Sequence, residues 1–241
     1  MKSAVLLSNS RHPVSGRPAL ARLEAQAIAL VKRLGGSVSG LHAGEETDAT
    51  REALGVGLSF VECLQMSDDA DPVPVLIDRL KADQFDLILA GRRGQGGLDT
   101  GLVPYLIAKA LDRPIIADVV AIEVGSEPGT IRVDQALKKG ARRRVTVRLP
   151  AIMTVHPLAP SPAVFAYAAA RRGEIRSVSV GEEVPNTSAF AERPYRNRPR
   201  LMRTAEASSG DVSEKLHVQP APEEAARLIL DYLERNGIRS F

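Results

Sequence analysis

The sequence predicts an α/β fold: a mostly parallel sheet with antiparallel hairpin additions, and a C-terminal arm that ends in a helix. Three observations carry this reading. Up to Pro114, short apolar runs alternate with amphipathic segments of helical length. Beyond Pro114, β-rich segments follow one another with only short polar turns between them. The chain then closes on a long polar stretch and one clean amphipathic helix. Parallel neighbours need a crossover connection, commonly a helix, so the first pattern implies a sheet covered on both faces.

Residues 3–8 form the first apolar run, ended by Ser8-Asn9-Ser10 and Pro13. From Pro18 to Leu34, apolar residues at Leu20, Leu23, Ala27, Leu30 and Leu34 share one helical face, and Gly35-Gly36 stops it. "SVSGLHAG" reads as a second strand. A helix from Glu45 to Leu54 is started by acidic residues and stopped by Gly55 and Gly57. "SFVECLQM" is a third strand, and Asp71 is placed to cap a helix that starts at Pro72 and runs to Lys81. Residues 86–90 form the fourth strand. A glycine-rich loop, "GRRGQGGLDTG", then leads into a helix through Leu111.

After Pro114, "IIADVVAIEV", "TIRVDQAL" and "RRRVTVRLPAIMTV" are separated by "GSEPG" and "KKG", the marks of antiparallel hairpins. "HPLAPSPAVFAYAAARRGE" reads as an exposed loop and a short helix. The organisation expected is an α/β nucleotide-binding domain over 1–180 and an extended arm with its helix over 181–241. The terminal helix turns Ala225, Leu228, Ile229, Tyr232 and Leu233 to one side, and Gly237 ends it. An arm of this kind implies a partner subunit to pack against.

The loop at 91–101 is the candidate site. In parallel sheets ligands sit at the carboxyl ends of the strands, and glycines leave backbone N–H groups open to a phosphate. Gly91, Arg92, Gly94, Gln95, Gly96, Gly97, Asp99, Thr100 and Gly101 are the candidate nucleotide-binding residues: amides for the phosphate, one hydroxyl and a guanidinium. A mobile connector capped by Asp99 is the competing reading. Neither the Walker nor the dinucleotide glycine spacing is present.

Composition excludes several classes. Thirty-two basic residues against 29 acidic ones leave a net charge of +3, and aromatic residues make up 4% with no Trp. Neither general attraction to nucleic acid nor base stacking follows, and the Arg-rich "RPYRNRPRLMR" reads as a docking arm as readily as an RNA-binding tail. The four histidines show no metal-ligand spacing and read as surface or loop residues. No Ser-His-Asp, Cys-His or paired-carboxylate set stands out, so no hydrolase is expected. Cys63, the sole cysteine, reads as a buried thiol in a reducing compartment. The N-terminus lacks a secretory h-region, and no apolar run nears the roughly 18 residues of a membrane span. A cytoplasmic location without membrane insertion is expected.

On three stretches the chain resembles the β subunit of electron transfer flavoprotein, a family that includes the Fix proteins of nitrogen-fixing bacteria. They are "DLILAGRRGQGGLDTGLVPYLIAKAL", "RVTVRLPAIMTV" and "AGEETDATREALGVG", and the C-terminal arm and helix suit the family as well. The resemblance implies a heterodimer in which FAD lies mainly on an α subunit. Electrons would come from a donor dehydrogenase and pass to a membrane quinone reductase. It also implies AMP or a second FAD within the β subunit, with Gly91, Asp99, Thr100 and Gly101 matching the phosphate loop. Three departures from the family pattern stand out. "SNSRHPVSGRPALARLEAQ" is shorter and lacks an Asn-Pro motif, Gly94, Gln95, Gly96 and Gly97 replace acidic loop residues, and Ala159-Pro160-Ser161-Pro162-Ala163 replaces the docking segment. AMP, a second FAD and an empty site therefore all stay open. Phe165 or Tyr167 is the expected anchor for a specialised partner. A stand-alone adenine-nucleotide-binding regulator of the universal stress type shares the α/β layer and Gly91-x-x-Gly94, and is the alternative.

Overall fold

A computed structural model describes residues 1–12, 14–67, 70–93, 100–181 and 220–237. The chain divides into two compact units, Met1–Ser188 and Ala189–Phe241. Within the first unit the strands are β1 (Lys2–Leu7), β2 (Ser37–Ala43), β3 (Phe60–Gln65), β4 (Leu87–Gly91), β5 (Ile115–Val124), β6 (Thr130–Ala136), β7 (Arg142–Arg148), β8 (Ala151–Val155) and β9 (Glu174–Ser179). Its helices are α1 (Arg22–Arg33), α2 (Asp48–Gly55), α3 (Pro72–Asp83), α4 (Val103–Leu111) and α5 (Tyr167–Arg172). The described part of the second unit is α6 (Pro222–Arg235) with its flanking residues.

One sheet has the strand order β7-β6-β5-β8-β4-β1-β2-β3-β9. Only β6 runs against the others, pairing antiparallel with β5 and with β7. Side chains on successive strand residues point to opposite faces, so the central strands feed two cores. Val5 and Leu7 of β1, Leu87 and Leu89 of β4, and Met153 of β8 join Ile28, Val31 and Leu54 from α1 and α2. Ala4, Leu6, Ile88 and Ile152 turn to the other face and meet Leu76, Leu80 and Ile107 from α3 and α4. The mostly parallel, doubly covered sheet expected from sequence is therefore present in a Rossmann-like fold.

Three expectations change in detail. "RRRVTVRLPAIMTV" is two strands: β7 at the sheet edge and β8 in its interior, parallel to both β4 and β5. β9 also lies outside the sequence reading; it adds parallel to β3 and closes that edge of the sheet. α1 begins at Arg22 rather than near Pro18, because Leu20 donates its N–H to Glu52 (2.7 Å) and Ala19 O accepts from the Ser10 hydroxyl. By contrast, Asp71 caps α3 as expected, its Oδ1 accepting from Val73 N–H at 2.9 Å. α6 buries none of its residues, and Ile229 and Tyr232 are exposed.

Gly40 explains why β2 carries a glycine in a buried strand. A Cβ there would lie 2.9 Å from Leu58 Cδ1 and 3.0 Å from both Leu7 Cδ1 and Val61 Cγ2, so three core side chains close over the bare backbone. Gly40→Val should lower stability by about 1–3 kcal/mol through overpacking. Urea denaturation that showed an unchanged midpoint would contradict this packing.

Candidate functional site

β1 and β4 are adjacent, and their connections leave in opposite directions: α1 leads from β1 to β2, and α4 leads from β4 toward β5. Their carboxyl ends thus form the switch point at which open α/β sheets bind ligands. Gly91, the last residue of β4, sits there. A Cβ on it would meet Arg93 O at 3.1 Å, Leu23 Cβ at 3.3 Å and Glu24 Cγ at 3.9 Å, so the bare glycine admits the first turn of α1. Gly101 has φ +71°, and a Cβ there would lie 2.7 Å from Arg92 O. Both ends of the loop are therefore packed against its own backbone, and at Gly101 the positive φ is one that glycine adopts without strain.

Arg92 ties this loop to the neighbouring strands. Its Nη1 is 3.4 Å from Asp118 Oδ1, an ion pair across to β5. Asp118 has φ +57° at the irregular register of β5, and its N–H donates to Thr154 Oγ1 of β8 at 3.1 Å. Thr100 Oγ1 accepts from Leu102 N–H at 3.2 Å just before α4. That bond uses the hydroxyl as an acceptor and leaves its proton available to a ligand oxygen. Of the other loop residues predicted to bind nucleotide, Gly94, Gln95, Gly96, Gly97 and Asp99 lie outside the described residues.

Sequence reasoning missed Glu24. It lies on the same helical face as Ala27 and Ile28, so an acid on the core-facing stripe was the available signal. The residue is 2% exposed. Its Oε1 accepts from Ser8 N–H at 3.0 Å and from the Ser8 hydroxyl, while its buried Oε2 has no partner. Burial pushes the carboxyl up to about 8, outweighing the two Ser8 hydrogen bonds that favour the ionised form. Asn9, the next residue, also has a buried, unpartnered Oδ1. Two residues further along α1, Gln26 Nε2 donates to Ala159 O at 2.6 Å and ties the helix to the segment after β8.

The remaining expectations divide. Cys63 is fully buried, and burial, with Glu46 as a lesser cause, pushes its thiol up to about 11, which keeps it unreactive at neutral pH. His42 is not a surface residue: it is buried in β2, with Nδ1 3.0 Å from Leu7 O. His217 lies outside the described residues. Among the described residues no group of His, Cys, Asp or Glu is arranged to hold a metal, and no helix is long and apolar enough to cross a membrane. Phe165 is 48% exposed and lays its ring over Gly55 of α2, whereas Tyr167 is 68% exposed.

Two open clefts lie at the opposite, amino-terminal edge of the sheet. One, of about 510 Å³, is lined by residues including Lys81, Phe85, Asp86 and Arg113; the other, of about 460 Å³, by residues including Met1, Asp86 and Pro150. The first sits where α3 and α4 end. Helix C-termini carry partial negative charge and offer carbonyls instead of N–H donors, which suits a phosphate poorly.

Because the native Glu24 carboxyl titrates near 8 instead of its ordinary 4.5, the folded chain holds an extra proton between those values. The group's favourable contribution is full below about pH 4.5 and is lost as pH rises toward about 8. Glu24→Gln should remove this dependence, so that the stability gap between the two proteins changes by about 2 kcal/mol from about pH 6 to about pH 8, in the variant's favour. Urea midpoints measured at both pH values check this, and equal slopes would contradict a protonated Glu24.

With the site laid out, two comparisons bear on it. The family model for the electron transfer flavoprotein domain matches residues 15–183, most of the chain and all of β2 to β9. The chain is also 35% identical over 245 aligned residues to the electron transfer flavoprotein subunit beta of Chromohalobacter salexigens, covering 98% of this chain and 91% of that protein. The matched region includes the glycine-framed loop after β4, and the alignment with the relative spans nearly the whole chain. The chain belongs to the electron transfer flavoprotein family, as a β-subunit member.

Proposed function

We propose that this chain is the β half of a heterodimeric electron carrier. An α subunit holds FAD for the most part, and the flavin supplies the redox chemistry when bound. This chain supplies the scaffold, a docking surface and an adenine-nucleotide site, while electrons pass from a dehydrogenase toward a quinone reductase. The near full-length likeness to a β subunit carries the proposal.

An adenine nucleotide fits the residues present at the switch point. Gly91 and Gly101 bring bare backbone together where a Cβ would collide, and buried polar atoms of Glu24 and Asn9 lack partners there. Arg92 and the Thr100 hydroxyl would face the phosphate. In the docking segment, Val164 and Tyr167 offer exposed apolar surface beside Phe165, suited to insertion into a partner pocket. On α6, Ile229 and Tyr232 leave an apolar stripe open for the α subunit.

Co-expression with an α-type subunit should yield a yellow complex that releases FAD and AMP on denaturation. A colourless pair that never associates would overturn the proposal. In the same complex, Gly101→Val should reduce AMP content about tenfold, in line with strain of about 1–3 kcal/mol at a positive φ, with FAD content unchanged. Equal AMP in both complexes would remove this loop from the nucleotide site.

A further inference from the structure

A buried carboxyl inside an anion site is a physical conflict unless its proton stays on. Resting on the nucleotide reading above, we propose that Glu24 is a phosphate-binding residue: its protonated Oε2 donates a hydrogen bond to a phosphoryl oxygen of the bound nucleotide.

The hydrogen bonds assign the proton. Oε1 accepts from both the N–H and the hydroxyl of Ser8, as the carbonyl oxygen of a neutral acid does. The proton therefore belongs on Oε2, which is buried and unpartnered. A buried donor without an acceptor is unfavourable until something accepts from it.

Placement selects the ligand group. Glu24 lies between Ser8 at the end of β1 and Gly91 at the end of β4, where the loop begins. Of the elements packed against α1, β4 is followed at its carboxyl end by Arg92 and Arg93, β5 carries Asp118 partway along and Glu123 near its end, and β8 is followed by His156. β1 brings none there; on α1 itself the nearest is Arg22, and Glu52 of α2 accepts from Leu20 just before it. Asp118 is committed to Arg92. The α1 N-terminus favours an anion, and a phosphate oxygen is the acceptor that Oε2–H lacks.

The protonation state then couples to binding. Burial holds the free carboxyl near 8, so above that value the empty site must take up a proton before the phosphate binds. Calorimetric titration of the full chain with AMP should show affinity falling roughly tenfold or more between about pH 7 and about pH 9.5, above the phosphate's own second ionisation. Adenosine, which lacks the phosphate, should bind without that fall. Glu24→Gln keeps an acceptor for Ser8 and a donor for the ligand, so it should bind AMP with a flat profile, and Glu24→Ala should bind weakly at both pH values.

Should the glutamine variant fail to fold, the AMP and adenosine profiles of the native chain still decide the matter. A flat AMP profile, or the same fall for adenosine, would overturn the role of Glu24 while leaving the nucleotide site standing. Absence of AMP binding at both pH values would remove the nucleotide site and this role together.

Discussion

The parallel pairing of β1 with β4 is the constraint from which the rest of the first unit follows. Ser3, Ala4 and Val5 lie opposite Leu87, Ile88 and Leu89, and all six are buried. Strands this apolar on both faces need helices on both sides. β1 therefore sends α1 one way and β4 sends α4 the other, and the candidate site lies at their carboxyl ends. The site is a consequence of covering two adjacent strands from opposite faces.

The elements whose burial is periodic were readable in the sequence. α3 with its Asp71 cap and the four strands of the first half carry their own signals, either an alternation or a short apolar run between breakers. β8 was misread for a physical reason. Ala151 to Val155 are all buried, the mark of an interior parallel strand, yet they directly follow the exposed Arg-rich β7 and look like its continuation. β9 has no apolar run, because an edge strand beside β3 needs only half of its surface covered. Its pairing is decided by α2 and α5, which carry the chain back to β3, and no window of six residues contains that information.

The candidate site was legible in outline and not in chemistry. The glycines were read as opening backbone N–H groups to a phosphate; at Gly91 and Gly101 the structure shows the bare backbone packed against the carbonyls of Arg93 and Arg92. Asp118 and Glu24 carried no motif. One is an aspartate in a strand whose backbone reaches a positive φ, and the other an acid on a helical stripe read as apolar. Such residues break a local pattern, and a broken pattern at the carboxyl end of a sheet is itself a functional signal.

Charge distribution sets how this site can hold an anion. The exposed basic residues of the β6–β7 hairpin lie at one end of the sheet, with β8 and β5 between that hairpin and β4. There Arg144 is engaged by Asp134 at 2.6 Å, and Arg143 by Gln135 at 2.7 Å. At the switch point, Arg92 is shared with Asp118. A field of free cations is therefore not what the loop relies on. In the proposed site short-range donors would take that place: the Thr100 hydroxyl and a carboxyl kept neutral by its burial. Donors of this kind act over hydrogen-bond distances and are little screened when buried, so affinity here should depend more on the geometry around Gly91 than on ionic strength.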